Sequence, residues 1–231
     1  MVDYASSIKK PFSDMKTLGI GTILNVIPIV SLLVTGFVVK TGEDAVKGKN
    51  KLRGFALNDI VEYIVKLVIM WVISVIYMIP GLVIVAVGIG AALATLLPAL
   101  TDPTNVADAL SNLASSALVG APILIVGFLL LLIACILLPM AIMRWLKEGS
   151  IGAAFNVLTV LKKVLTVNYW VTVIVYFVYA IVLAIIASII AGILVLVPVI
   201  GWVLGLLIMG LVGFALSVTG YDLMAQVYNA K

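Results

Sequence analysis

An all-helical membrane protein is the fold class this sequence predicts, on three observations. Of its 231 residues, 65% are hydrophobic and only 10% are charged. A soluble domain carries about a quarter charged residues. The stretch Ala117–Met143, ALVGAPILIVGFLLLLIACILLPMAIM, holds no charged side chain. As a helix at ~1.5 Å per residue it reaches ~40 Å, enough to cross a ~30 Å hydrocarbon layer with some tilt. Its flanks differ: Arg144 and Lys147 follow at once with Trp145 between them, while the nearest upstream charges are Asp108 and Asp102. That asymmetry orients the span with its Arg144 end toward the cytoplasm. One integral-membrane domain, 1–231, is expected, because no polar stretch is long enough for a second.

The other elements follow in order. Residues 1–16 are mixed, with Lys9, Lys10 and Lys16 against Asp3 and Asp14. Pro11-Phe12 places an aromatic at head-group level, and no small-residue cleavage site of a signal peptide follows. Thr17–Val39 is apolar but broken at its middle by Asn25 and Pro28, since proline removes a backbone donor and clashes with the preceding turn. Thr41–Gly54, TGEDAVKGKNKLRG, reads as a loop. A helix is expected from Phe55, with Asp59, Glu62 and Lys66 on one face and Glu62 spaced to pair with Lys66. Leu67–Leu100 is uncharged and interrupted at Pro80-Gly81. One long kinked span fits better than a hairpin, whose arms would be too short to cross. Thr101–Ser116 lacks Lys and Arg and reads as an external loop with a short helix, capped at Thr104 or Asn105. Ser150–Thr166 alternates an apolar stripe (Ile151, Ala154, Phe155, Leu158, Leu161, Leu165) with a polar one carrying Lys162 and Lys163, the pattern of a helix in the interface plane. From Val164 to Tyr221 there is no charge; a turn at Val197–Trp202 divides this into spans of about 169–196 and 202–225.

Charge then sets topology. With residues 1–16, 40–66, 144–163 and the C-terminus placed in the cytoplasm, that side holds all 14 Lys and Arg, as the positive-inside rule requires. Both termini are then cytoplasmic in a multi-pass protein of the cell membrane. The arrangement requires Thr17–Val39 to enter and leave on the same side. The fold expected is therefore an all-α polytopic bundle: four full spans, a broken, re-entrant N-terminal pair and one interfacial helix. The alternative is five spans with the N-terminus outside. A faint internal echo links Ile23–Val30 to Ile193–Ile200, and Gly54–Asn58 to Gly152–Asn156, as an ancient duplication would.

The succession Lys10-Pro11-Phe12-Ser13-Asp14, Ile27-Pro28-Ile29, Gly36, Ile76-Tyr77-Met78-Ile79-Pro80 and Gly149-Ser150-Ile151-Gly152-Ala153-Ala154-Phe155 resembles a domain-of-unknown-function family of small polytopic membrane proteins, mostly archaeal. The likeness runs over nearly the whole chain. The Pro-rich acidic stretch usual in that family before the second helix is replaced here by Lys47–Arg53. The resemblance implies an archaeal-type integral membrane protein and no activity. A more distant likeness is to the membrane-anchor domain of glycerophosphodiester phosphodiesterases, without their catalytic domain.

The chemistry legible in the residues is sparse. There is no histidine, which removes a Ser-His-Asp arrangement and the commonest metal ligand. Asp102 and Asp108 read as solvated loop carboxylates and are too few for a metal site. Cys135, the single cysteine, reads as an apolar filler with no internal disulfide partner. No catalytic, cofactor or metal site is expected, and the scattered basic residues form no nucleic-acid patch. Span centres carry no Asp, Glu, Lys or Arg, unlike those of most proton-coupled carriers. Asn25, at the break with Pro28, is the most polar group at depth; it reads as a helix–helix hydrogen bond or a substrate contact. Gly201–Gly205, extended by Gly210 and Gly213, reads as close packing or a dimer face. Lys47, Lys49, Lys51, Arg53, Lys162 and Lys163 are candidate contacts to anionic lipid. The functional expectation is a non-enzymatic protein organising lipid or partner proteins, with the bilayer and a membrane-protein partner or second copy as companions. The alternative is a small transporter or channel for a neutral solute, with a wet cavity converging on Asn25 and Pro28.

Overall fold

The structure is a computed structural model that describes residues 2–101, 106–197 and 199–230, with side chains outside 95–119. Among the described residues every regular element is helical: α1 (Tyr4–Lys9), α2 (Met15–Val26), α3 (Ser31–Val46), α4 (Ile60–Thr101), α5 (Val106–Glu148), α6 (Ile151–Ala154), α7 (Val157–Val164), α8 (Val167–Leu194) and α9 (Ile200–Asn229). Four stretches among them are long and apolar enough to span a bilayer: Leu57–Ala94, Gly120–Glu148, Val167–Leu194 and Ile200–Asn229. The chain divides into two compact units, residues 1–71 with 139–231, and residues 72–138.

Local chemistry explains the first unit's element ends. Asp14 caps α2 by accepting from the backbone N–H of Lys16 (3.0 Å) and Thr17 (3.3 Å), which satisfies donors the helix itself leaves open. Ile27, ahead of Pro28, is extended (φ −89°, ψ 114°); a residue before proline is pushed out of the α region, so α2 stops there. The Ser31 hydroxyl donates to the Pro28 carbonyl (2.7 Å) as α3 begins. The first two long helices then double back beside α9. Asp3 meets Gln226, Gly21 meets Phe214 and Asn25 meets Gly210. On the return leg Phe37 meets Phe214, Gly42 meets Tyr221, and the Val46 carbonyl accepts from Asn229. At ~1.5 Å per residue α2 is ~18 Å long and α3 ~24 Å, both short of a ~30 Å crossing. The broken pair foreseen at Asn25–Pro28 is therefore present, and both its ends lie at the C-terminal end of α9.

The core of this unit is Leu18, Val34, Phe37, Val38, Tyr63, Phe214 and Val218. Phe37 stacks on Phe214 at 6.1 Å and meets the edge of Tyr63 at 5.7 Å, favourable geometries beyond simple burial. Beside it Gly36 lies against the Tyr63 backbone. In α9, Gly210 and Gly213 lie against Thr22, Val26 and Asn25 of α2, so this part of the small-residue stripe packs within the chain. Gly205 faces open space and takes no part in it. The turn before α9 carries a positive φ at Val199 (66°).

Within 72–138 the described residues 72–101 and 106–138 form two antiparallel helical legs. A Cβ on Gly81 would lie 2.7 Å from Leu131, on Gly88 2.8 Å from Leu124, and on Gly127 2.7 Å from Val85. Missing side chains thus bring the two backbones together, the usual device of helix packing in lipid. Pro80 sits inside α4 without ending it, so one long helix replaces the excluded hairpin. Cys135 is exposed on this unit and does not fill a core as expected.

Several sequence expectations need correction. The segment read as a loop from Thr41 is helical to Val46, because Thr41, Glu43 and Asp44 are buried there and paired rather than solvated. The next long helix starts at Ile60, after a 3-10 turn at Leu57–Asp59, not at Phe55. The interfacial stretch is two helices, α6 and α7. Asn156 breaks it because its side chain accepts from the backbone N–H (3.2 Å) and hydroxyl (3.0 Å) of Thr159, a cap in place of a helix interior. Ile151, Leu158, Leu161 and Leu165 remain exposed, an apolar face available to lipid, and Val160 and Val164 pack inward. The described residues of 101–116 are all helical, Thr101 in α4 and 106–116 in α5, so the helix there is longer than the short one expected; the cap at Thr104 or Asn105 and the side chains of Asp102 and Asp108 lie outside the described residues. The first pair of echoed segments both end a helix ahead of a reversal, α2 into α3 and α8 into α9. The second pair follows the first reversal but precedes the other, an order that a tandem duplication does not produce.

Candidate functional site at the cationic end

The C-terminal end of α9 gathers the chain's cations. Lys147 donates to the Val46 carbonyl (3.0 Å) and to Asn229 (2.8 Å). Lys163 donates to the Ala230 carbonyl (2.8 Å) and its ammonium lies 5.5 Å from the Tyr228 ring centre. These contacts tie the ends of α3, α5, α7 and α9 together, and they engage Lys163 structurally. Lys162 is exposed.

Two polar networks occupy this end. In the first, Lys10 pairs with Asp222, and both side chains are almost fully buried, at 4% and 7% exposure. Ser7 donates to the second Asp222 oxygen (2.6 Å), and so does Gln226 (3.0 Å). Gln226 accepts from the Asp3 backbone N–H (2.6 Å). Every polar group here has a partner, the condition under which a buried charge is tolerated. The network fastens α1 to the last helix. Sequence reasoning passed over Asp222; the available signal was a lone carboxylate in an otherwise apolar helix.

In the second network one carboxylate serves three lysines. Glu43 meets Lys47 (2.6 Å), Lys66 (2.9 Å) and Lys40 (3.1 Å), and Lys40 also reaches Glu62. The expected local Glu62–Lys66 pair is thus replaced by two contacts to α3, because the buried Glu43 offers Lys66 a stronger partner. Asp44 takes Lys49 (2.8 Å) and Arg53 (3.3 Å), and Arg53 continues to Asp59 (2.7 Å). Burial alone would raise the Glu43 carboxyl, but the ammoniums of Lys47, Lys66 and Lys40 outweigh it and hold it at about 2. An unpaired glutamate titrates near 4.5, so the unfolded chain binds the extra proton first. The stability this cluster contributes is present above pH ~4.5 and lost as pH falls toward ~2. Thermal unfolding in detergent should therefore decline progressively below pH 4.5 in the wild type, with a shallower decline in Glu43→Gln. Equal slopes would contradict the pairing.

Between these networks lie two adjoining cavities of about 400 and 470 Å³. The first is lined by Asp222, Gln226 and Asn229, the second by Lys9, Lys51 and Asp14; Ser6, Lys10 and Asn50 border both. Of the predicted lipid contacts, the structure brings Lys51 to the cavity and commits Lys47, Lys49 and Arg53 to carboxylates. The intramembrane candidates are elsewhere. Asn25 donates to the Gly210 carbonyl (3.1 Å), and Pro28 is exposed at the tip of the α2–α3 reversal. Neither borders these cavities. Among the described residues no group of three His, Cys, Asp or Glu side chains is placed to hold a metal.

Four bilayer-length apolar helices, a doubled-back N-terminal pair and a polar, cation-rich end define an all-helical integral membrane protein. The chain belongs to the family described as "Protein of unknown function (DUF4013)", which matches residues 20–196. No curated protein and no solved structure matches it.

Proposed function

We propose that this is a non-enzymatic, multi-pass protein of the cell membrane that organises lipid or partner proteins at a cytoplasmic, cation-rich face. One observation carries the reading. The most polar side chain at depth, Asn25, is engaged with a neighbouring helix, while the two polar cavities open among the charges at one end. A carrier for a neutral solute needs the reverse, polar groups lining a path at the midplane. The exposed apolar faces of α7 and α8 suit contact with acyl chains, a membrane partner or a second copy. Cytoplasmic placement of both termini follows from the positive-inside rule.

Purification into lipid nanodiscs with mass spectrometry of retained species tests this reading, alongside glycerol permeability of proteoliposomes. Retained lipid or protein is expected, with permeability equal to that of empty vesicles. Asn25→Leu should cost about 1 kcal/mol of stability and leave permeability unchanged. Glycerol flux through the wild type that Asn25→Leu abolishes would establish the carrier reading instead.

A further inference from the structure

We propose that the second cavity at the cationic end, lined by Lys9, Lys51 and Asp14, binds the phosphodiester of an anionic lipid headgroup through Lys9, Lys51 and Asn50. The proposal deepens the lipid-organising reading and rests on it.

The cations of this end are not equivalent. Lys47, Lys49 and Arg53 are each held by Glu43, Asp44 or Asp59. Lys9 and Lys51 are exposed, border the same cavity, and make no ion pair among the described residues. The cavity's other charges are already engaged. Lys10 is neutralised by Asp222. Asp14 caps α2, accepting from two backbone N–H groups and the Thr17 hydroxyl (2.7 Å). Lys9 and Lys51 against Asp14 leave one net positive charge, which complements the single negative charge of a phosphodiester. Lysine ammoniums bind phosphate as point charges, and the exposed Asn50 amide adds two donors.

Exposed apolar side chains next in sequence to the lining residues favour a lipid over a free anion. Phe12 and Met15, on either side of the lining residues Ser13 and Asp14, are 43% and 73% exposed. Two exposed apolar side chains one residue away from cavity-lining positions on the same stretch of chain offer acyl-chain contacts near the phosphate contacts, the amphipathic pattern of a membrane interface. A soluble phosphate would gain nothing from them.

The test uses the full chain in mixed phosphatidylcholine–phosphatidylglycerol nanodiscs, with retained lipid counted by native mass spectrometry. Lys51→Gln and Lys16→Gln each remove one exposed charge from this end, but Lys16 does not border the cavity, and only the first should reduce retained phosphatidylglycerol. Lys9→Gln/Lys51→Gln should weaken retention at least about tenfold, from ~1 kcal/mol per lysine. Phosphatidylglycerol retained equally by all variants would overturn the site while leaving lipid organisation intact. No retained lipid of any kind in the wild type would overturn that reading as well. Inorganic phosphate in phosphatidylcholine-only nanodiscs should not bind; binding that Lys9→Gln/Lys51→Gln abolishes would overturn the lipid source.

Discussion

Asp222→Ala is expected to cost about 3–5 kcal/mol, the usual consequence of leaving a buried charge without its partner. Lys10 would remain at 4% side-chain exposure with no carboxylate, and Ser7 and Gln226 would each lose an acceptor. For a chain of this length that corresponds to a drop of roughly 6–20 °C in the unfolding midpoint. Replacing both partners by apolar residues of similar size is a different perturbation, because no unpaired charge is left behind. Lys10→Met/Asp222→Leu should therefore recover most of the loss. Thermal unfolding in detergent reads both variants. A single variant as stable as the wild type would mean that the pair is solvated and that α1 is not fastened to α9.

The second large effect is expected at Gly36. A Cβ there would lie 2.1 Å from the Tyr63 carbonyl oxygen and 2.6 Å from its carbon, both backbone atoms that no side-chain rotation can move. Helix propensity alone predicts that Gly→Ala stabilises by about 1 kcal/mol. Overpacking costs about 1–3 kcal/mol or more, and with backbone on both sides the upper part of that range applies. Gly36→Ala should therefore destabilise, through separation of α3 from the start of α4 and loosening of the Phe37–Tyr63–Phe214 contacts. Gly19, in α2 with nothing within 4 Å of its Cβ position, is the control: Gly19→Ala should be stabilising or neutral. Stabilisation at both positions would show that propensity, not close approach, governs these glycines.

Much of the architecture was legible because membrane helices announce themselves by length and by the absence of charge. The turn between the last two spans and the continuity of α4 through Pro80 came from that signal. The break at Asn25–Pro28 was legible for a local reason, since proline acts on its own turn. What the sequence hid was pairing at a distance. Glu43 and Asp44 look like loop charges until α3 is seen to carry them under Lys66 and Arg53. Local spacing favoured Glu62–Lys66, and only the tertiary fold supplies the better-placed Glu43. Asp222 gave a weak sign of its role because its partner, Lys10, lies 212 residues away. The candidate cleft was legible only in Lys51. Lys9 and Asn50 carry no motif, and they become neighbours through the return of the chain from α3 beside α1. Asn156 shows the opposite case: its preference for a cap was readable in the residue itself, and the amphipathic stripe running through it masked the break.

The central claim is that α2 and α3 enter and return on one side, which places the N-terminus with the cations. Cysteine accessibility in intact cells tests it most directly, on a Cys135→Ala background. Cysteines introduced at Ala5, Gly54 and Lys162 should all resist a membrane-impermeant maleimide until the membrane is opened, while one at Asp108 labels at once. Labelling of Ala5 from outside with Gly54 still protected would mean that the first apolar run crosses completely, and the doubled-back pair would be wrong.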